Sequence, residues 1–305
     1  MPQDTVEGKI PDFFSIETVL GCNLSCAGCY TGAGLVTRQQ GVMSFTQYKA
    51  IADNLKAYAK KVCLAVWGEP LLNKDILEII KYTIGFADPY LTTNGQLIDE
   101  TLAEKIVDSG CVNISVSIDG CSQAVYEKYR RGGRAEKAIN ALKYLCASKK
   151  RLKSNIGICP TFLVFEHNEQ EMADFAELCH SLELEPGFMR PFRIENSALQ
   201  FSNKTKYRPL GTAGLSDKER KKYILEKEEG CFERIIILVD GSVVPCCCDY
   251  NGQDIFGNVL EQSILDIWQS KKFCAFRKNL LNGKDVCKRR NCFMLNRQRN
   301  VLPDA

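Results

Sequence analysis

The chain has 305 residues, 45% hydrophobic and 25% charged, which suits a full globular core with a small appendage. A net charge of +3 leaves no nucleic-acid footprint, and no apolar run approaches the roughly 18 residues of a membrane span. The N-terminal residues lack the basic and apolar regions of a secretory signal, so the 16 cysteines read as reduced thiols of a cytoplasmic protein, more suited to metal than to disulfides. With only two histidines, His167 and His180, imidazole catalysis and zinc ligation have little to work with.

An apolar run from Phe14 to Leu20 leads into Gly21-Cys22-Asn23-Leu24-Ser25-Cys26-Ala27-Gly28-Cys29-Tyr30. The C-x3-C-x2-C spacing puts three thiols in one short loop. A [4Fe-4S] cluster usually takes four thiolates, so three would leave one iron open, as catalytic metal sites leave a position for substrate. A zinc knuckle is the other use of such a loop. Ser44-Phe45-Thr46-Gln47 reads as a capping box, with Met43 and Tyr48 placed for a hydrophobic staple. Phe45, Tyr48, Ile51, Ala52, Leu55 and Tyr58 follow at helical spacing.

A short apolar run from Val62 to Trp67 predicts a buried strand ending in Gly68-Glu69-Pro70. A helix follows from about Asn73 to Gly85, and a strand from Pro89 to Thr92 leads into Thr93-Asn94-Gly95. Asp99 caps a third helix that ends near Gly110. Val112, Ile114, Val116 and Ile118 then alternate with Asn113, Ser115, Ser117 and Asp119. One face of that strand packs on helices, and the other lines something wet or ligand-filled. Gly133 to Lys149 is helical, Ile156 to Phe165 a strand, and Asn168-Glu169-Gln170-Glu171 a second capping box ahead of Met172, Phe175, Ala176 and Cys179. Phe188 to Phe192 is a sixth strand. Such alternation predicts a parallel sheet with right-handed crossovers.

The cysteine loop and the segments after it resemble the radical SAM superfamily. The resemblance implies a partial (β/α)6 TIM-type barrel over residues 1–200, with ligand residues at the C-terminal ends of the strands. It implies that Cys22, Cys26 and Cys29 hold a [4Fe-4S] cluster whose fourth iron takes S-adenosylmethionine (SAM), which is cleaved reductively to a 5′-deoxyadenosyl radical that abstracts hydrogen. Gly68-Glu69-Pro70 is similar to the family's GGE motif, which gives Glu69 the SAM ammonium. Asn94, in Thr-Asn-Gly, resembles a residue near SAM, and Ser117 and Asp119 resemble an S-x-D-G motif at the ribose and carboxylate. Arg130 resembles an arginine that pairs with the SAM carboxylate. Where the family usually carries an aromatic or bulky residue near adenine, before the third cysteine, this chain has Gly28, which leaves that role to Tyr30 or another side chain.

From Glu195 to Gly230 the chain turns polar, and residues 201–230 read as a bridge. Residues 231–305 read as a small α+β domain that resembles the SPASM and twitch domains of the same superfamily. Cys231 precedes a strand from Ile235 to Val239, an Asp240-Gly241 hairpin turn and a return strand from Ser242 to Val244. Pro245-Cys246-Cys247-Cys248-Asp249, Gly257-Asn258-Val259 and a helix from Ser263 carrying Ile264, Ile267 and Trp268 complete the likeness. A full SPASM domain would need a C-x2-C-x5-C-x3-C run that is absent, so the resemblance implies one auxiliary [4Fe-4S] cluster, on Cys231, Cys246, Cys287 and Cys292. A structural zinc on the same ligands is the alternative. Adjacent cysteines in an extended segment point to opposite sides, so Cys247 and Cys248 fall outside the ligand set. They are candidate catalytic thiols, able to return a hydrogen atom to a substrate radical. Cys63, Cys111, Cys121, Cys146, Cys159, Cys179 and Cys274 read as small fillers of the core.

The expected activity is hydrogen abstraction from a small molecule or a peptide, ending in dehydrogenation, epimerisation or peptide crosslinking. A flavodoxin or ferredoxin would supply electrons, and neither nucleic acid nor membrane is an expected partner. With 21 residues before Cys22, a fused peptide-leader reader is not expected. A non-catalytic iron–sulfur carrier or scaffold is the rival reading, and it would have no use for an open iron or for Glu69.

Overall fold

The computed structural model describes residues 9–191, 199–202, 204 and 234–281. Cys231, Cys287 and Cys292, the basic Lys288, Arg289 and Arg290, and nearly all of the 201–230 bridge lie outside them. Nine strands form one sheet: β1 (Phe13–Ile16), β4 (Lys61–Cys63), β5 (Asp88–Thr93), β6 (Asn113–Ser117), β7 (Gly157–Leu163), β8 (Gly187–Met189), β9 (Arg234–Ile237), β10 (Ser242–Val244) and β11 (Gly257–Asn258). Their order is β11-β10-β9-β1-β4-β5-β6-β7-β8. Pairing from β9 through β1 to β8 is parallel, and only the β9-β10-β11 meander is antiparallel. A two-stranded ribbon, β2 (Val19–Leu20) with β3 (Gly41–Val42), flanks the cysteine loop.

The helices are α1 (Phe45–Leu55), α2 (Ile76–Thr83), α3 (Glu100–Asp108), α4 (Gln123–Tyr129), α5 (Ala135–Leu152), α6 (Met172–Ser181), α7 (Ile264–Gln269) and α8 (Lys271–Leu281). Crossover helices α1, α2, α3, α5 and α6 carry the strands of the expected partial barrel, and their apolar faces meet one side of the sheet. Phe14, Ile16, Val62, Leu91, Ile114, Val116, Ile158 and Phe162 are buried there among helix residues such as Ile51, Ile80, Ile106, Leu142 and Phe175. The alternation foreseen in β6 is realised: Ile114 and Val116 are fully buried, while Asn113, Ser115 and Ser117 on the inner face are half-buried.

Several elements differ from expectation for local reasons. The strand foreseen from Val62 to Trp67 stops at Cys63, because the chain then crosses to the cysteine loop, where Glu69 N–H donates to the Gly21 carbonyl at 2.9 Å. The second capping box does not form. Asn168 instead donates from Nδ2 to the carbonyls of Asp119 and Leu163 at 3.0 and 2.9 Å, and accepts from Phe165 N–H at 2.8 Å. Glu171 accepts the N–H groups of Cys121 and Ser122 ahead of α4, a helix with no periodic apolar signal in the sequence. Ser44 does cap α1, but Gln47 reaches out to the Val239 carbonyl rather than back to the cap. The C-terminal strands join the barrel sheet, since β9 pairs with β1.

Candidate functional site

The cysteine loop sits beyond the C-terminal end of β1, held between two other strand-end segments. Ser25 and Ala27 donate their N–H groups to the carbonyls of Arg131 and Tyr129 at 2.9 and 3.0 Å, which ties the loop to the end of α4. On the other side the Gly68-Glu69 turn comes so close that a Cβ on Gly68 would lie 2.1 Å from the Val19 carbonyl oxygen. Only glycine allows that approach, and it brings Glu69 beside the loop.

Cys22, Cys26 and Cys29 lie close enough for the charge of one thiolate to be felt by the others. Burial pushes the Cys26 thiol up to about 12, the charge of Arg130 opposes this, and the neighbouring thiols and Asp119 add to it. Burial also raises Cys22, against a hydrogen bond from Leu24 N–H to its sulfur at 3.4 Å. Cys22 and Cys26, raised by burial and by neighbouring thiols, need positive charge beside them to ionise. Arg130 supplies some of it, donating from Nη1 to Cys26 Sγ at 3.8 Å. Among the described residues no three His, Cys, Asp or Glu side chains are grouped tightly enough for a single metal ion. Three thiols from one short loop are the soft donors that an iron–sulfur cluster takes.

Glu69 is buried, at 2% exposure. Its Oε1 accepts from Leu71 N–H at 3.1 Å and from Thr93 Oγ1 at 2.7 Å, and its Oε2 accepts from Asn94 N–H at 2.8 Å. No lysine or arginine among the described residues forms an ion pair with it. Burial raises its pKa, and the three hydrogen bonds only partly offset that. The site thus holds a buried carboxylate with no ion-pair partner among the described residues, although the charge of Arg130 also lowers its pKa.

The other resemblance-derived residues gather at the same end of the sheet. Asn94 turns its Nδ2 to Asn23 Oδ1 at 2.8 Å and to Cys22 Sγ at 3.7 Å, so it braces the loop. Ser117, at the end of β6, faces Thr161 Oγ1 at 3.4 Å. Asp119 is fully buried, accepting Arg130 Nε at 2.5 Å and Leu163 N–H at 2.6 Å. Burial raises the Asp119 pKa, and Arg130 opposes the rise. Arg130 and Asp119 are therefore paired with each other beside the cluster loop. Tyr129 occupies the space a side chain at Gly28 would need: a Cβ there would lie 2.6 Å from Tyr129 Cε2. Tyr30 instead stacks on Tyr250 and meets Trp67 edge-on.

Sequence reasoning passed over Glu17, Arg38, Asn23 and Thr93. Glu17, fully buried, takes both Arg38 guanidinium nitrogens Nη1 and Nη2 at 2.8 Å and also accepts Val239 N–H at 3.1 Å. A lone carboxylate in the apolar run from Phe14 to Leu20 was the available signal. Of the expected auxiliary ligands only Cys246 is described. The segment after β10 is not extended: Asp249 N–H closes a turn on the Cys246 carbonyl at 3.1 Å, and the Cys248 thiol contacts those of both Cys246 and Cys247. The premise of an extended segment is corrected: a turn brings the Cys248 thiol to those of Cys246 and Cys247, while Cys246 packs on the main core and Cys247 on a separate cluster. Cys248 is buried, and Cys247 packs on Ile236, Leu238 and Val244.

A family model described as the radical SAM superfamily matches residues 16–179, more than half of the chain. The chain belongs to the radical SAM superfamily. A second, described as an iron–sulfur cluster-binding domain of the SPASM type, matches residues 230–293. A probable GTP 3′,8-cyclase of Methanocaldococcus jannaschii is 29% identical over 255 residues, covering 74% of this chain and 81% of the relative. The mycofactocin maturase MftC of Mycobacterium ulcerans is 29% identical over 163 residues, 53% of this chain and 42% of the relative. Among solved structures, BtrN in complex with AdoMet and 2-DOIA aligns with a TM-score of 0.57 at 20% identity, covering 89% of this chain and 87% of BtrN. Streptococcus suis SuiB bound to S-adenosylmethionine aligns with a TM-score of 0.67 at 14% identity, covering 88% of this chain and 68% of SuiB. The fold is accordingly the partial TIM-type barrel with a C-terminal SPASM-type domain. The cofactors are a [4Fe-4S] cluster, SAM and a second iron–sulfur cluster. No helix among the described residues is long and apolar enough to cross a membrane.

Proposed function

We propose that Cys22, Cys26 and Cys29 hold the cluster that binds SAM, with Glu69 receiving the SAM ammonium, and that the enzyme abstracts a hydrogen atom from a small molecule or peptide at the mouth of the barrel. The observation that carries this reading is Glu69 itself, a buried carboxylate beside three gathered thiols, with no cation partner among the described residues. A carboxylate is kept in such a place at a desolvation cost of several kcal/mol, at least about 1–3, unless a cationic ligand arrives. When bound, the reduced cluster and SAM supply the 5′-deoxyadenosyl radical. The chain's own residues do the rest. Asn94 and Asn23 brace the loop, Arg130 faces the Cys26 sulfur, and Asp119 fixes Arg130. The half-buried inner face, with Ser115, Ser117 and Thr161, offers hydroxyls to a polar ligand. A non-catalytic electron carrier would gain nothing from the buried carboxylate.

The relatives and neighbours span a nucleotide cyclase, a maturase and a complex with 2-DOIA, so this reading takes the substrate as a polar small molecule or peptide without choosing further. Residues 231–305 would carry the second cluster, with Cys231, Cys246, Cys287 and Cys292 as its ligands and a flavodoxin or ferredoxin as electron source. Cys247 or Cys248 would return a hydrogen atom if the reaction is an epimerisation, and the crowding of their thiols beside Cys246 supports a role at that cluster's edge. The test is incubation of reduced enzyme with SAM and panels of sugars, aminoglycosides and peptides in D2O. An epimerase places one non-exchanging deuterium in the product and loses that step in Cys247→Ala or Cys248→Ala while still forming 5′-deoxyadenosine. A product two hydrogens lighter, or normal turnover by both variants, eliminates the thiol donor.

A further inference from the structure

The segment after the cysteine loop, residues 30–38, contains neither helix nor strand. Its own turns hold only part of it: Ala33 N–H donates to the Cys29 carbonyl at 2.7 Å, and Leu35 N–H to the Tyr30 carbonyl at 2.9 Å. Further anchorage comes from Glu17, which pairs with Arg38, from the Trp67 carbonyl, and from a short stretch of the C-terminal unit, Tyr250 and Asn251. The Tyr30 ring stacks on Tyr250 with centroids 4.0 Å apart and planes 18° from parallel. Trp67 closes the cluster edge-on, 4.9 Å from Tyr30 and 6.3 Å from Tyr250. Thr31 Oγ1 donates to the Trp67 carbonyl. Asn251 accepts Thr37 N–H at 2.8 Å and donates to the Leu35 carbonyl at 3.1 Å, while Arg38 Nε donates to the Tyr250 carbonyl at 2.7 Å.

These contacts join three places of consequence. Tyr30 directly follows Cys29, Trp67 directly precedes Gly68-Glu69, and Tyr250 lies two residues past Cys248. Tyr250 is itself placed by the cysteine turn, since Asp249 closes that turn on Cys246 and its carboxylate takes the N–H groups of Gln253 and Asp254 at 2.8 and 2.9 Å. We propose that Tyr250 and Asn251 are positioning residues, a latch through which cluster ligation at the Cys246–Cys248 turn holds the Cys22–Cys29 loop and Glu69 in their SAM-binding arrangement. The proposal rests on the SAM-site reading above and adds to it a coupling between two stretches far apart in the sequence. Ligation fixes the turn, the turn fixes the Tyr250 ring, and the ring fixes Tyr30 and Trp67. The Arg38–Glu17 pair is anchored on β1 and on Val239, so it survives loss of the Tyr250 side chain, and a substitution there removes the stack alone.

The test uses the full chain, anaerobically loaded with iron and sulfide. SAM dissociation constants, iron content and hydrogen exchange over residues 30–38 are measured for wild type, Tyr250→Phe, Tyr250→Ala, Asn251→Ala, Cys246→Ala and the Tyr250→Ala/Cys246→Ala double variant. An aromatic stack of this geometry corresponds to about a three- to tenfold change in affinity. Tyr250→Ala should weaken SAM by that factor with faster exchange at 30–38, and Tyr250→Phe should stay within about twofold of wild type. Cys246→Ala should weaken SAM similarly, and the double variant should be no weaker than the worse single one, because both break the same chain of contacts. Wild-type affinity in Tyr250→Ala, or effects that multiply in the double variant, would overturn the latch. If Tyr250→Ala does not fold, Asn251→Ala decides: weakened SAM with faster exchange at 35–37 upholds the latch, and wild-type values overturn it. A wild-type protein that keeps its iron but binds no SAM would instead overturn the reading of the SAM site.

Discussion

Glu69→Gln removes one negative charge from the site with almost no change of volume. A carboxylate offers about four lone-pair positions. Leu71 N–H, Thr93 Oγ1 and Asn94 N–H fill three, at 3.1, 2.7 and 2.8 Å, so one remains for an ammonium. A hydrogen bond to a charged partner is worth about 1.5–3 kcal/mol, so the variant should bind SAM about 10- to 150-fold more weakly. Iron content should be unchanged, since none of the hydrogen bonds to the Glu69 carboxylate comes from a cysteine. Equilibrium dialysis of SAM against the iron-loaded protein reads the first quantity and iron analysis the second. The buried carboxylate also leaves a mark on stability. Burial raises its pKa above 4.5 in the folded chain, so the folded state holds this proton more tightly than the unfolded one. The stability it contributes is present below pH 4.5 and is lost as pH climbs through the raised value. Melting curves of cluster-free wild type should show that loss, Glu69→Gln should lack its share of it, and in iron-loaded protein SAM should stabilise wild type more than Glu69→Gln. Equal SAM affinity in the two proteins would show that Glu69 merely ties the Gly68 turn to β5.

Arg130→Met strands the buried Asp119 carboxylate and should cost about 3–5 kcal/mol, with much of it recovered in Arg130→Met/Asp119→Asn; chemical denaturation checks both, and a single-variant loss below about 1 kcal/mol would refute the pairing argument. Gly68→Ala drives a Cβ to 2.1 Å from the Val19 carbonyl and 2.8 Å from that of Gly21, so the cysteine loop should shift and iron at the SAM site should fall; full iron retention on analysis would show that the turn can yield.

The sheet and most helices were legible because their burial patterns are one-sided. The alternation from Val112 to Asp119 states which face of β6 is dry, and Ser44, Asp99 and Ser263 mark helix starts that the backbone uses. The short helix α4 was missed although Ser122 caps it locally by accepting Val125 N–H; the tertiary contact of Ser122 N–H with Glu171, 49 residues away, has no local signature. The site was legible as a set of motif residues but not as a network. Nothing in Asn23 or Thr93 announces that they serve Asn94 and Glu69. The place of Gly28 was half legible: its neighbour in space is Tyr129, brought from α4 by the backbone bonds to Ser25 and Ala27. The three adjacent cysteines were read on extended geometry, whereas Asp249 closes a turn on Cys246.

The most direct measurement is reductive cleavage of SAM by the anaerobically reconstituted protein, read as 5′-deoxyadenosine and methionine by mass spectrometry, with iron counted in the same samples. Wild type should carry about eight irons and form both products, while Cys22→Ala/Cys26→Ala/Cys29→Ala should keep about four and form neither. A wild-type protein that holds its clusters under reductant yet leaves SAM intact, or a triple variant that still cleaves it, would contradict the assignment of this loop.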